Sequence, residues 1–358
     1  MNNDNSSRLI DFLHQSFLAP LLDDDLITDI SFNGRSVYYQ HNDYGRARSA
    51  IVVSAQEVND FLRQIANLGE KQFSYSEPLL DMSFGRFRLN AVHYALGRLN
   101  DSKTPTFSLR IGSYQTRIKD DGSFMPESIS KIIDILIANH QSLVIGGVTG
   151  TGKTELQKYL LSRIKSHERV VVIDNIQELT YNSANENIDL TCWQVNPHLQ
   201  HASFPELIRN ALRSNPDWLV IAESRGKEMI DVLNSAMTGH PVLTTIHAKS
   251  VDTIASRMVR MVLLNGQETS YKEASNDIRE HFRYYLYLKK ESDGEGRIRR
   301  FLSSFLEIEH ESQQTFLIYQ KTSDGTLFNT PSPYTVSLIK SCQQGENIME
   351  IFYRCESS

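Results

Sequence analysis

A glycine-rich segment carries the clearest chemistry in this sequence. Residues 147–154 read Gly-Val-Thr-Gly-Thr-Gly-Lys-Thr, which matches the phosphate-binding pattern GxxxxGK[ST]. Glycines let backbone N–H groups turn toward phosphate oxygens, and the N-terminus of a following helix adds a positive dipole. Lys153 would then reach the β- and γ-phosphates, and Thr154 would offer its hydroxyl to Mg²⁺. The alternative is a glycine-rich turn without a ligand. The predicted nucleotide-binding residues are Gly147, Val148, Thr149, Gly150, Thr151, Gly152, Lys153 and Thr154.

Two apolar segments lead into carboxylates that fit the same chemistry. Segment 218–222 is followed by Glu223, and segment 170–173 is followed by Asp174. Open α/β sheets bind ligands at the carboxyl ends of their strands, so both acids are expected at the nucleotide edge. Two acids placed there can divide the roles of metal ligand and water activation. The alternative is an acid that only caps the next turn.

Two histidines flank a short apolar segment further along the chain. His240 precedes residues 241–245, and His247 follows them. A lone histidine at such a place is more often structural. A histidine at the end of a strand beside the nucleotide edge can instead sense the γ-phosphate.

Alternating strands and helices must position these residues. From Pro126 onward an apolar helix face runs through residues 129–137 at helical spacing. Apolar strands separated by helices predict a mainly parallel sheet covered on both faces. A turn at 292–296 predicts a β-hairpin, whose basic run Arg297–Arg300 is interpreted as a solvated edge. The predicted strands are 142–145, 169–173, 218–222 and 241–245, and the predicted helices are 153–164, 204–213, 227–237 and 251–264.

The first 115 residues predict a smaller mixed α/β region. It has a helix over 7–22, two strands around an Asn33-Gly34 turn, and a helix over 58–68. Strands are predicted at 87–93 and 106–111. The polar segment 115–125 has the composition of a solvated linker. The expected domains are 1–118 (N-terminal α/β), 119–128 (linker), 129–310 (the domain with the glycine-rich loop) and 311–358 (an extension of unknown role).

Composition narrows the class of protein. The chain has 358 residues, and its 37 basic and 43 acidic residues give a formal charge of −6. That balance is unfavourable for a protein that holds nucleic acid by bulk charge. Cys192, Cys342 and Cys355 form no CxxC pair, so neither a zinc site nor a disulfide framework is expected. No signal peptide and no apolar run of about 18 residues occur, which predicts a cytoplasmic protein without a membrane span.

The order of these motifs resembles the type II/type IV secretion traffic ATPases, and the VirB-type and CpaF-like branch most. The resemblance rests on the glycine-rich loop, Val171–Leu179, Leu212–Gly226 and Thr238–Ala248, and it covers roughly residues 25–310. It implies a RecA-like P-loop ATPase domain of α/β class with a mainly parallel sheet. A smaller mixed α/β domain is expected to precede it.

The resemblance also implies roles for single residues. Glu223 matches the Walker-B acid, which holds Mg²⁺ partly through water, as Thr154 does directly. Asp174 matches the general base and Glu178 the second acid of the same box. His247 matches the histidine that reads the nucleotide state. Residues expected to reach phosphates from the N-terminal domain are Arg88 and Arg110, and those with a structural or intersubunit role are Arg225 and His240.

The function implied is an ATP hydrolase using Mg²⁺. The family's members form homo-hexameric rings that reach the membrane through embedded partners and drive export of protein, DNA–protein complexes or pilin. The His240–His247 spacing is shorter than the VirB-type pattern, so a pilus-retraction or type II secretion motor remains an alternative. Asp174-Asn175 replaces the family's Glu-Asp pair, which leaves open an ATP-binding scaffold with weak turnover. A RecA-like nucleic-acid motor is the remaining alternative.

Overall fold

The chain forms two compact units. The computed structural model describes residues 3–113, 116–175, 179, 188–196, 199–266, 269–323, 325–343 and 345–355. The first unit comprises Met1–Tyr114 and Glu291–Arg299, and the second comprises Gln115–Lys290 and Arg300–Ser358. The division along the chain thus falls between residues 114 and 115, a few residues before the expected linker at 119–128.

The first unit combines three helices with eight short strands in its described residues. The helices are α1 (Asn3–His14), α2 (Ala19–Leu22) and α3 (Ala55–Leu68). The strands are β1 (Ile27–Phe32), β2 (Val37–His41), β3 (Gly45–Arg48), β4 (Leu79–Phe84), β5 (Phe87–Val92), β6 (Arg98–Leu99), β7 (Ser102–Lys103) and β8 (Thr106–Ile111).

The single helix predicted over residues 7–22 is wrong. Ser16 breaks it, because its hydroxyl donates to the carbonyl of Leu13 at 2.7 Å and accepts from the N–H of Leu18 at 3.2 Å. Such local side-chain bonds replace the helical ladder. Pro20 then lies in the first turn of α2, where its missing N–H costs nothing.

An antiparallel sheet forms the centre of the first unit. Its six strands follow the order β3-β2-β1-β8-β5-β4. The predicted Asn33-Gly34 turn is confirmed, with Gly34 at φ +95° and the Asn33 side chain accepting from the N–H groups of Arg35 and Ser36. Alternate residues of β8 are buried, so one face of the strand joins the core while the other stays polar.

The second unit alternates strands and helices, as the sequence predicts. Its helices are α4 (Glu127–Ala138), α5 (Lys153–Leu161), α6 (Phe204–Ala211), α7 (Met229–Met237), α8 (Thr253–Leu263), α9 (Tyr271–His281), α10 (Pro333–Lys340) and α11 (Gly345–Cys355). Its strands are β9 (Leu143–Gly147), β10 (Arg169–Asp174), β11 (Asp189–Gln194), β12 (Trp218–Ile221), β13 (Val242–His247), β14 (Tyr284–Ser292), β15 (Ile298–Ile308), β16 (Thr315–Thr322) and β17 (Gly325–Phe328). Within the described residues, every helix is too short or too polar to cross a bilayer.

One nine-stranded sheet runs through the second unit in the order β11-β10-β12-β13-β9-β14-β15-β16-β17. The pairs from β11 to β14 are all parallel, and β15, β16 and β17 pair antiparallel. Since parallel strands end at the same edge, the residues after β9, β10, β12 and β13 share one rim.

Helices cover both faces of this sheet, and β10 shows how. Val170 and Val172 belong to the core that includes α4, α5 and α11. Val171 and Ile173 belong to the opposite core, which includes α7, α8 and α9. Successive side chains of a strand point to opposite faces, so a strand buried on both faces is apolar throughout.

Residues beyond 310 belong to the same unit. Strands β16 and β17 extend the main sheet, and Ile339, Met349 and Phe352 are buried in its core. The expected boundary at 310 therefore does not coincide with an end of the sheet. Glu307 joins the two parts of the chain, because its buried carboxylate accepts from Ser332 and Thr335 at the start of α10.

The segment expected to be a solvated linker is partly packed. The N–H of Arg117 donates to the Glu155 carboxylate on α5 at 2.8 Å, and Phe124 and Met125 are buried. Arg163 holds Asp120 with two contacts of 2.6 Å. Polar composition alone predicted solvation, but Arg117 and Asp120 have specific partners in α5 and just after it.

Candidate active site

The glycine-rich loop lies between β9 and α5, as predicted. Gly150 and Gly152 have φ values of +77° and +93°, which side chains with a β-carbon rarely adopt. A β-carbon on Gly147 would lie 2.5 Å from the Thr151 hydroxyl oxygen, so the loop needs glycine there. That hydroxyl donates to the carbonyl of Val148 at 2.9 Å. The loop is thus a tight turn that delivers the chain to the N-terminus of α5.

Buried polar contacts fix α5 beneath the loop. Gln157 donates to the carbonyl of Ile221 at 2.8 Å and to that of Leu243 at 3.3 Å. These acceptors belong to β12 and β13, so α5 is tied to the two strands that precede Glu223 and His247. The first turn of the helix carries Lys153 and the half-buried Thr154.

The Lys153 side chain folds back over the loop. Its ammonium donates to the carbonyls of Gly147 and Val148 at 3.1 and 3.2 Å. It also lies 3.4 Å from Nδ1 of His247. Lys153 is only 8% exposed, which places its charge inside the loop.

Glu223 follows β12 at the same rim. Its Oε2 accepts from the Arg225 guanidinium at 2.6 Å. Its Oε1 lies 2.9 Å from Nε2 of His247, a distance for an ion pair, but without the alignment of a hydrogen bond. Among the described residues Oε1 has no hydrogen-bond donor, although it is buried. A buried acceptor without a donor is uncommon and marks a place where a further group can bind.

His247 connects the loop with Glu223. It ends β13 opposite Gly147 on β9, so the strand register fixes its place. Partial burial lowers the pKa of His247, and the positive charge of Lys153 lowers it further, while Glu223 opposes both. The ring is therefore neutral near pH 7, with one nitrogen toward Lys153 and the other toward Glu223.

Asp174 ends β10 and is 5% exposed. Ile173 pairs with Ile221, so Asp174 is level with Ala222 and one position short of Glu223. The charge of Asp174 acts on Arg225: the hydrogen bond that Arg225 donates to Glu223 is the largest cause that raises the pKa of Arg225, and Asp174 contributes as well. Glu178, the second predicted acid, lies outside the described residues.

His240 is not part of this cluster. His240 precedes β13 and His247 ends it, so Pro241 and the first five residues of the strand separate the two histidines by roughly 20 Å. Its Nδ1 lies 3.1 Å from the Thr238 hydroxyl. Arg88 and Arg110 belong to the first unit, where they face each other as cross-strand partners on β5 and β8. Asp81 lies 3.6 Å from Arg88.

Sequence reasoning missed two cations beside the loop. Nε of Arg300 donates to the carbonyl of Gly150 at 2.8 Å. Nζ of Lys290 lies 3.4 Å from the point where a β-carbon on Gly150 would be. The sequence signal for these cations was the basic run at 297–300. It becomes informative only with the strand order, because β14 pairs with β9 and thereby places Lys290 and Arg300 beside the loop.

The rim offers the groups that a magnesium-bound nucleoside triphosphate requires. It has a buried ammonium, a helix N-terminus, the Thr154 hydroxyl and a carboxylate with an unsatisfied buried oxygen. Mg²⁺ prefers oxygen ligands and keeps several waters, so it needs few protein ligands. The residues present therefore fit this group.

Comparison with known proteins identifies the family. A family model described as type II/IV secretion system protein matches residues 91–272, half of the chain, from the end of β5 to the start of α9. The chain belongs to this family. The match includes the loop, Asp174, Glu223 and His247, and it excludes Arg88 and Arg300.

Two relatives and one solved structure are also similar to this chain. An uncharacterized protein of Bacillus anthracis is 28% identical over 311 residues, which are 84% of this chain and 68% of that protein. A putative conjugal transfer protein of Mycobacterium tuberculosis is 27% identical over 261 residues, 70% of this chain and 73% of the relative. The X-ray structure of the Legionella pneumophila ATPase DotB has a similar fold, with a TM-score of 0.61 and 18% sequence identity. The match covers 94% of this chain and 86% of DotB.

Proposed function

We propose that this protein is an ATPase motor that energises type IV secretion, conjugative transfer or pilus assembly. Its second unit would serve as a RecA-like P-loop domain. One observation carries the proposal: His247 lies between Lys153 of the loop and Glu223, at 3.4 and 2.9 Å. A glycine-rich turn that binds no ligand would not require a buried lysine, a histidine and a glutamate in consecutive contact.

Each side chain in that line has a defined task. Lys153 neutralises the negative charge of the β- and γ-phosphates, exchanging its loop carbonyls for phosphate oxygens. Neutral His247 senses the γ-phosphate, since both its nitrogens already contact groups that the phosphate would move. Arg225 holds one oxygen of Glu223, and the other lies 2.9 Å from Nε2 of His247.

Bound Mg²⁺, held by Thr154 and by Glu223 partly through water, would supply charge neutralisation for phosphoryl transfer. Asp174 is proposed as the base that accepts the proton of the attacking water. Its carboxylate is one methylene shorter than glutamate, and its burial keeps bulk water away. Arg88 and Arg110 are proposed to bind phosphates as well.

The test is ATP turnover and binding in matched lysine variants. Lys153→Ala is expected to abolish phosphate release, and Glu223→Gln is expected to do the same while retaining ATP binding. Lys165→Ala removes an exposed lysine beyond α5 and serves as the control with normal turnover. Normal turnover in Lys153→Ala or Glu223→Gln would refute the assignment.

A second candidate is an ATP-binding scaffold with weak turnover. The observation in its favour is Asp174-Asn175, because asparagine cannot act as a base and aspartate reaches less far. Tight ATP binding without phosphate release in the unaltered protein would favour it. The variant carrying Asp174→Glu and Asn175→Asp would then gain turnover.

The assembly belongs to the proposal too. We expect a homo-hexameric ring at the inner face of the cytoplasmic membrane, attached through membrane-embedded secretion or pilus components. The family assignment and the conjugal transfer relative support this expectation. Solution mass measured with and without ATP-Mg²⁺ tests the ring, and a monomer under both conditions would contradict it.

A further inference from the structure

Two basic residues at the base of the β14–β15 hairpin approach the P-loop at one point, Gly150. Nε of Arg300 donates to the Gly150 carbonyl at 2.8 Å, and Nζ of Lys290 lies 3.4 Å from the point where a β-carbon on the same glycine would be. Arg300 is partly buried, whereas Arg297 and Arg299 of the same basic run are exposed. The run is therefore not uniformly a solvated edge.

The contact matters because of peptide geometry. The carbonyl of Gly150 and the N–H of Thr151 belong to one planar trans peptide, so they point in opposite directions. A donor that holds the carbonyl therefore also sets the direction of the N–H. Glycine at φ +77° has little preference of its own, so an external contact is needed to choose one orientation.

Thr151 is fixed on its other side. It is fully buried, and its hydroxyl donates to Val148 within the loop. The Gly150–Thr151 peptide is thus held between a buried side chain and the Arg300 guanidinium. An arginine suits this place, because its Nε–H is part of a rigid planar group that stays charged at every physiological pH.

We propose that Arg300 is a positioning residue for phosphate binding, and that Lys290 adds positive charge beside the same glycine. Arg300 keeps the Thr151 N–H turned toward the bound phosphates and does not itself touch the reacting atoms. The inference rests on the proposed function, since it requires that the loop binds a nucleoside polyphosphate.

Nucleotide affinity in arginine variants tests the proposal. Arg300→Ala is expected to weaken ADP and ATP binding by about tenfold to a hundredfold, the usual effect of losing a charge-assisted hydrogen bond. Because ground state and transition state lose the same contact, KM rises while kcat changes little. Arg300→Lys is expected to recover part of the affinity, and Arg299→Ala is the matched control with unchanged affinity.

A purely structural role would give a different result. In that case Arg300→Ala would lower the unfolding temperature of the nucleotide-free protein and reduce kcat together with affinity, which would overturn the proposal. Unchanged ADP and ATP affinity would overturn it too. Should Arg300→Ala fail to fold, Arg300→Gln keeps an N–H donor without charge, and its KM-to-kcat split answers the same question.

Lys153→Ala separates this inference from the proposed function. If Lys153→Ala loses nucleotide and Arg300→Ala keeps it, the role of Arg300 is wrong and the P-loop stands. If Lys153→Ala keeps full affinity, the loop is not the phosphate site and both fail. Lys290→Ala is expected to weaken binding less, and its effect should vanish at high salt, because a charge without a fixed hydrogen bond is screened.

Discussion

Glu307 is fully buried in β15, and replacing it is expected to destabilise the second unit strongly. Its carboxylate accepts from the N–H of Ser332 at 3.0 Å and from the hydroxyls of Ser332 and Thr335 at 2.5 and 2.7 Å. Arg283 lies 3.3 Å away and adds the opposite charge. The acid thus satisfies the N-terminus of α10 inside the protein.

The size of the effect follows from these partners. Glu307→Ala leaves the Arg283 charge and the Ser332 N–H without their acceptor, and removing one partner of a buried ion pair costs about 3–5 kcal/mol. The guanidinium carbon of Arg283 still lies 4.2 Å from the centroid of the Tyr334 ring, so the ring continues to stabilise part of its charge. Glu307→Gln keeps the shape but loses the charge, which gives a smaller loss of about 1–3 kcal/mol.

Tryptophan fluorescence in a urea titration measures this loss of unfolding free energy in the second unit. The chain has two tryptophans, Trp193 and Trp218, and both belong to the second unit. The signal therefore reports that unit alone, which matters because a protein of two units has no single free energy of unfolding. A loss of 3–5 kcal/mol is a large part of the 5–15 kcal/mol that stabilises a typical domain.

Glu311→Ala provides the matched control. Glu311 is exposed in the turn after β15, and such surface changes usually stay within about 0.5 kcal/mol. Equal unfolding midpoints for Glu307→Ala and Glu311→Ala would refute the reasoning, since the hydrogen bonds to Glu307 would then contribute nothing. A loss confined to hydrogen exchange in α10, with an unchanged midpoint, would also contradict it.

Two further predictions concern titrating groups. The pKa of His247, measured by NMR, is expected below the ordinary value of 6.5, because burial and Lys153 both disfavour the charged ring. It should rise in Lys153→Ala and fall further in Glu223→Gln, and a midpoint at or above 6.5 in the unaltered protein would contradict this. Burial raises the pKa of Cys192 from 9.0 to about 11, so its thiolate is about a hundredfold scarcer at neutral pH. Alkylation followed by mass spectrometry should therefore be at least that much slower in the native than in the urea-unfolded protein, and equal rates would refute it.

Much of the site's layout can be predicted from short, contiguous segments of the sequence. The glycine-rich loop is contiguous, and apolar segments followed by an acid or histidine predict strands that end at a ligand edge. The register of β13 with β9 then puts His247 beside Gly147, as the strand-end argument requires. The spacing of His240 and His247 did not show which of them lies at the ligand edge. The direction of β13 does, because His247 ends the strand and His240 precedes it.

The unpredicted parts depend on contacts between distant segments. Arg300 reaches Gly150 across 150 positions, and the basic run at 297–300 indicates this contact only once the strand order is known. Likewise Arg117 belongs to a polar segment, yet its N–H donates to Glu155 on α5. Polarity predicts exposure only when a side chain or backbone group has no specific partner, and partners are a property of the fold.

The residues that donate hydrogen bonds to Glu307 come late in the sequence and are therefore synthesised late. Domains generally fold as units while the ribosome is still adding residues. The glycine-rich loop and the parallel strands of the described residues are made before Ser332, Thr335 and Phe352, which complete the buried cluster and the core. Any product cut short before residue 352 would carry the complete glycine-rich loop on an unfinished core. Proteolysis is expected to remove such fragments, because chains that stay unfolded are degraded.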